Sequence, residues 1–188
     1  MSSLVTRAAE GFDRRLFTVD EILRMQEIGI ISPDENFELV EGEIVPMQAK
    51  SHFHELVKSA LNLKIARALP DHLWLGIESS LYLSDRTVLE PDLSIYPRGM
   101  RLETVKGSDV IIAIEVSAST LADDRGLKAQ LYAKYGVQEL WVIDVERHRT
   151  IIHQEPVAGS WRSINMRGAD EELRIDAIPE FRIRLSEI

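Results

Sequence analysis

The stretch Asp109–Ser117, DVIIAIEVS, constrains the fold more than any other part of the chain. Read as a strand, it puts Ile111, Ala113, Glu115 and Ser117 on one face and Ile112, Ile114 and Val116 on the other. Both faces are apolar through the first half, so the strand is expected to be central in its sheet and covered on both sides. Glu115 then sits at the edge of a core, where an unpaired carboxylate is costly.

The flanking segments supply the covering layers. Thr18 and Glu21 form a Thr-x-x-Glu capping box that opens a helix, VDEILRMQEIG, stopping at Gly29. FELVEGEIVPM reads as a hairpin turning at Glu41-Gly42. Ser51 caps a long helix, HFHELVKSALNLKIARAL, which ends before Pro70-Asp71. LWLGIESSLYL, DLSIYP and DVIIAIEVS follow as strand-like runs, and a second long helix, RGLKAQLYAKY, ends at Gly136. QELWVIDVE, RTIIHQEP, SWRSINM and FRIRL close the chain as further strands. The order predicts a mixed α+β (α/β) domain built around one central sheet flanked by helices, with extra strands at the C-terminal end. Residues 1–16 read as an N-terminal arm and residues 17–188 as a single domain.

A chain of 188 residues buries about 70% of its unfolded surface and needs no covalent staple. It has no cysteine, which excludes a disulfide scaffold, thiol catalysis, a cysteine zinc site and iron–sulfur ligation. The longest apolar run, Val110–Ile114, is far too short to span a membrane. The opening residues, MSSLVTRAAEGFDRRLF, lack the apolar stretch of a signal peptide, and Glu10 and Asp13 do not suit a transit peptide, so the expected location is cytoplasmic. The net charge of −9 argues against a protein that coats nucleic acid through a basic surface. The acidic surplus lies outside residues 86–135, where basic and acidic side chains balance. A site that neutralises phosphate with a bound divalent cation could use such a centre.

Four residues in this pattern need an explanation. Asp92 follows Pro91 at the start of DLSIYP and shares a strand face with Ser94 and Tyr96. Taken alone, Pro-Asp reads as a turn, and Glu115 could emerge into solvent at its strand end. If the two strands are antiparallel neighbours, however, the start of one lies beside the end of the other, and two carboxylates meet in one cleft. Projected at about 100° per residue, Lys128 falls inside the apolar stripe of Leu127, Leu131, Tyr132 and Tyr135. It either snorkels to water or turns inward to carboxylates or an anionic ligand. His54 likewise falls in the stripe of Val57, Leu61, Ile65 and Ala68, as a satisfied core residue or a site residue. His52, His72, His148 and His153 form no metal-ligand spacing.

Taken in order, Pro91-Asp92, Glu115-x-Ser117 and Lys128 resemble the signature of the PD-(D/E)XK nuclease superfamily, and the match is closest to its Uma2 family of restriction endonucleases. The resemblance runs from Phe37 to Asp144 through FELVEGEIV, His54, EPDLSIY, IIAIEVSAST and DDRGLKAQLYAKYGVQELWVID. The last stretch is the most specific part. The superfamily implies a restriction-endonuclease-like sheet and a magnesium-dependent phosphodiesterase site. Carried over, Asp92, Glu115 and the backbone carbonyl of Val116 would hold Mg2+, with Mn2+ as an alternative. Lys128 would orient or activate the attacking water and counter charge on the phosphate. Glu38 and His54 match recurrent family positions that border the site.

In the usual motif a lysine stands two residues after the glutamate, where this chain has Ser117. Lys128 occupies a position similar to the migrated, helix-borne lysine of several branches. The resemblance therefore implies a metal-dependent endonuclease acting on DNA, with a homodimer expected from the need to cut two strands. The other readings are a noncatalytic nucleic-acid or protein-binding module that keeps the fold, and a structural protein in which Lys128 closes a buried ion pair.

Overall fold

A computed structural model describes residues 14–32, 34–47, 49–101, 104–117 and 122–188. Of the expected N-terminal arm, residues 1–13 lie outside the described residues, and Arg14 pairs with Glu43 at 2.9 Å. The elements run α1 (Val19–Glu27), β1 (Phe37–Val40), β2 (Glu43–Pro46), α2 (His52–Ala68), β3 (Leu73–Ile77), β4 (Leu81–Ser84), β5 (Thr87–Leu89) and β6 (Leu93–Pro97). They continue with β7 (Ile112–Ser117), α3 (Ala122–Lys134), β8 (Glu139–Asp144), β9 (Arg149–Val157), β10 (Ser160–Gly168), β11 (Leu173–Ile175) and β12 (Ile178–Ile183).

The apolar stretch Asp109–Ser117 supplies β7, an inner strand of a six-stranded mixed sheet ordered β10-β9-β8-β7-β6-β3. β6 and β7 are antiparallel, with Leu93 opposite Ile114, whereas β7 and β8 are parallel. A parallel pair needs a crossover, and α3 supplies it. Both faces of β7 are covered. On one side Ile112, Ile114 and Val116 pack with Val57, Leu61 and Ile65 of α2 and with the β11–β12 ribbon. On the other, Ala113 packs with Leu131 and Tyr132 of α3 and with Leu81 and Leu89. Apolar surface removed from water on both faces makes β7 the centre of the core.

The local signals explain the element boundaries. Thr18 accepts from the Glu21 backbone N–H at 3.2 Å while the Glu21 carboxylate receives the Thr18 N–H at 3.0 Å, closing the capping box of α1. Ser51 caps α2 through the His54 N–H at 3.2 Å. Glu41 and Gly42 both adopt positive φ, as a two-residue hairpin turn requires.

The central mixed sheet flanked by helices is as expected, and beside it β1, β2, β4 and β5 form a further four-stranded sheet ordered β2-β1-β5-β4. LWLGIESSLYL is accordingly two strands in different sheets, broken where Glu78 takes a left-handed φ of 47°. The side of α3 opposite its apolar stripe is also partly covered. Trp161 on β10 donates its indole N–H to the Ala129 carbonyl at 2.8 Å, and Ala129 and Ala133 are buried.

The C-terminal end of α3 is fixed by a backbone contact at Gly107. A Cβ there would stand 2.3 Å from the Tyr135 carbonyl oxygen, so Gly107→Ala must push the helix end away. Its expected cost is about 1–3 kcal/mol, read as a lower urea midpoint.

Candidate active site

The strand and helix signals bring their charged residues to one end of the central sheet. Asp92 immediately precedes β6, and one further step of the β6–β7 register sets it across from Glu115. Asp92 is buried, yet its carboxylate is well satisfied. Oδ2 accepts the Val116 backbone N–H at 2.8 Å and lies 2.9 Å from His54 Nε2, and Oδ1 faces Lys50 Nζ at 3.1 Å. Burial opposes its ionisation, but His54, the Val116 N–H and Lys50 together hold its carboxyl below the ordinary value. The N–H and C=O of one extended residue point to the same edge of a strand, so the Val116 carbonyl also faces the Asp92 side.

Glu115 lies toward α3. Its Oε1 accepts the Tyr132 hydroxyl proton at 2.6 Å and pairs with Lys128 Nζ at 2.8 Å. Lys128 also pairs with Glu38 Oε1 at 2.9 Å, and the same oxygen accepts the Glu90 backbone N–H at 2.8 Å. Lys128 is therefore turned inward, with its side chain 25% exposed. Burial alone would lower the pKa of this ammonium; Glu115 and Glu38 outweigh it and raise the pKa. Burial raises Glu115 above the ordinary carboxylate value, Lys128 opposes the shift, and the charges of Glu38 and Asp92 add to it. Burial beside Glu115 also raises the Tyr132 hydroxyl, which stays a donor.

The six positions singled out from the sequence, Asp92, Glu115, Val116, Lys128, Glu38 and His54, thus lie at one end of the central sheet in two sets of direct contacts. Glu115, Lys128 and Glu38 are in direct contact, as are Asp92, His54 and the Val116 N–H. Asp92 has no direct contact with Lys128; its charge reaches Glu115 across the paired strands. His54 comes from α2, on the opposite layer from Lys128, so the cluster spans the lip of the sheet.

Sequence reasoning missed Lys50, Lys58, Glu78 and the role of Tyr132. Glu78 pairs with Lys50 and, at 2.5 Å, with Lys58, which in turn holds Glu55 at 2.8 Å. Three of these left a signal. Lys50 sits just before the N-cap of α2, where the helix dipole disfavours a cation. Lys58 follows His54 by four residues in the same apolar stripe, so the test that flagged His54 also flags Lys58. A buried tyrosine needs a partner for its hydroxyl, which points to Tyr132. Glu78 left none, because its turn interrupts what reads as one strand.

The donor set consists of hard oxygens, which suit magnesium, manganese or calcium and not a thiophilic ion. Among the described residues no three histidine or acidic side chains gather into a metal cage of their own. A divalent cation could instead take two carboxylates, a carbonyl and solvent. Such a set fits magnesium, which keeps several waters. Asp92 and Glu115 now face ammonium groups, Lys50 and Lys128, so this end of the sheet already holds cations against both carboxylates.

Among curated proteins nothing matches the sequence. Among solved structures, the chain is similar to the crystal structure titled a putative nuclease belonging to DUF820 from Anabaena variabilis ATCC 29413. The TM-score is 0.70 at 15% identity, over 91% of this chain and 96% of that one, a likeness of fold. The family Uma2, described as "Putative restriction endonuclease", matches residues 19–186. With nearly the whole described chain inside that match, the protein belongs to the Uma2 family.

Proposed function

We propose that the chain is a divalent-cation-dependent endonuclease that hydrolyses DNA phosphodiester bonds at Asp92, Glu115 and Lys128. The observation that carries this reading is the position of Lys128 Nζ, 2.8 Å from Glu115. A helix delivers the ammonium to the carboxylate that Ser117, in the usual lysine position, leaves without one. In this reading Asp92, Glu115 and the Val116 carbonyl hold Mg2+ or Mn2+. When bound, the cation supplies charge stabilisation at the scissile phosphate and a more acidic water.

The chain's own residues hold that arrangement in place. His54 and the Val116 N–H fix the Asp92 carboxylate, and Tyr132 fixes Glu115. Lys128 stays protonated because its two carboxylate neighbours raise its pKa. It therefore acts as a donor that orients a water or a phosphate oxygen, and not as a proton acceptor. Glu38 restrains the ammonium from the far side. Two strands of a duplex call for two sites, so the reading includes a homodimer.

A thermal titration tests the metal half of the proposal. Magnesium or manganese should raise the melting temperature, by the equivalent of about 2.7 kcal/mol at free metal near 100 times its Kd. Calcium should bind without supporting cleavage, because its looser shell places water less strictly. A melting temperature unchanged across broad magnesium and manganese titrations contradicts the site. Cleavage of plasmid DNA that requires these ions tests the chemical half.

A further inference from the structure

Asp92 can offer a cation only one of its two oxygens. A carboxylate oxygen has two lone pairs to give, and both of those on Oδ2 are engaged, by the Val116 N–H at 2.8 Å and by His54 Nε2 at 2.9 Å. Oδ1 is the oxygen left, and Lys50 Nζ stands 3.1 Å from it. Magnesium binds oxygen at about 2.1 Å, so on the same oxygen it would sit about 4 Å from that ammonium. A divalent and a univalent charge at this spacing repel twice as strongly as two unit charges. Lys50 and a metal therefore compete for Asp92.

Glu115 presents no such conflict. Among the described residues both of its side-chain partners, Tyr132 and Lys128, meet Oε1, and Oε2 is left to a cation. Lys50 also has a second seat. The same ammonium pairs with Glu78, which Lys58 holds at 2.5 Å. The Lys50 side chain is 24% exposed and belongs to the residue before the N-cap of α2, outside the helix. Leaving Asp92 therefore removes one of its two carboxylates and strands no buried charge.

We propose that Lys50 is the resident counter-ion of Asp92. It holds the carboxylate when no metal is bound, and it gives up Oδ1 to an entering divalent cation by withdrawing onto Glu78. Lys50 is thus a positioning residue that sets the metal concentration to which the site responds. The inference rests on the metal half of the nuclease reading and adds what the metal must displace. A salt bridge that serves only the fold has the opposite consequence: without Lys50 the Asp92 carboxylate loses a restraint and binds metal no better.

Manganese binding to the full chain, measured by titration calorimetry with no DNA present, tests this without any cleavage. Lys50→Met removes the competitor and should bind Mn2+ at least about tenfold more tightly than wild type. Its metal-free melting temperature should fall at the same time, because Asp92 loses its ammonium. Lys50→Gln, which keeps a donor without the charge, should move both quantities in the same directions. Lys58→Met takes an equal charge from Glu78 and Glu55 and should change the manganese Kd by less than about threefold. Manganese binding by both Lys50 variants no tighter than wild type, or an equal tightening in Lys58→Met, overturns the proposal. Metal-dependent plasmid cleavage by the wild type beside such a result leaves the nuclease reading intact and removes the role of Lys50. Tighter manganese binding by Lys50→Met in a chain that never cleaves DNA does the reverse.

Discussion

Lys128→Met should lose about 3–5 kcal/mol of stability in metal-free buffer and cleave DNA at least about 100-fold more slowly. Methionine keeps most of the stem volume and the packing on α3, so the change isolates the ammonium. The stability loss follows because Glu38 and Glu115, both held on Lys128, are left as neighbours without a counter-charge. Magnesium should return part of that loss, since positive charge at Glu115 relieves the same repulsion. It should not return cleavage, because the donor aimed at water or phosphate is gone. Stability and activity therefore separate in one variant, measured by chemical melts with and without metal beside single-turnover cleavage. A snorkelling lysine predicts a neutral or slightly stabilised protein with activity intact. A lysine that only closes an ion pair predicts the stability loss with whatever cleavage exists left unchanged.

Asp92→Asn should remove both metal response and cleavage at a smaller structural cost. The amide oxygen can still accept the Val116 N–H or face His54, while the charge that holds Lys50 is lost. The expected loss is about 1.5–3 kcal/mol at neutral pH, the range for hydrogen bonds to a charged group. The pH dependence has a fixed sign. Asp92 titrates below its ordinary value of 3.8 in the folded chain, so the unfolded chain binds its proton first as pH falls. The stability that the carboxylate contributes is complete above that ordinary value and is lost as pH falls through the lower folded one. The gap between wild type and Asp92→Asn should therefore be constant near neutrality and close in acid. Urea midpoints from neutral pH down to the acid limit of folding measure it, and a gap that widens in acid contradicts the assignment of a depressed carboxyl.

The parts of the fold and site legible in the sequence are those set by periodicity. Alternation in DVIIAIEVS gave the two covered faces of β7, and helical projection turned Lys128 and His54 inward, where they pair with Glu115 and Asp92. Capping chemistry at Thr18 and Ser51 located two helix starts. What was not legible depends on long-range geometry. The four-stranded sheet arises because Glu78 turns the chain at a left-handed φ, and nothing in ESS separates that from a continuous strand. The partnership of Lys50 with both Glu78 and Asp92 joins residues far apart in sequence, and only the fold brings them within reach. The covering of α3 by Trp161 likewise comes from the β9–β10 hairpin folding over a helix that, projected alone, shows one apolar stripe.

The central claim is that Asp92, Glu115 and Lys128 act together on a DNA phosphodiester. Supercoiled plasmid and single-stranded DNA, incubated with the wild-type chain and with Asp92→Asn in magnesium, manganese or chelator, test it most directly. The account predicts cleavage by the wild type that needs the metal, stops in chelator and is absent from Asp92→Asn. DNA binding without cleavage in every metal would instead identify a binding module that keeps the nuclease fold. Cleavage that persists in chelator, or an Asp92→Asn protein that cuts at the wild-type rate, would contradict the account.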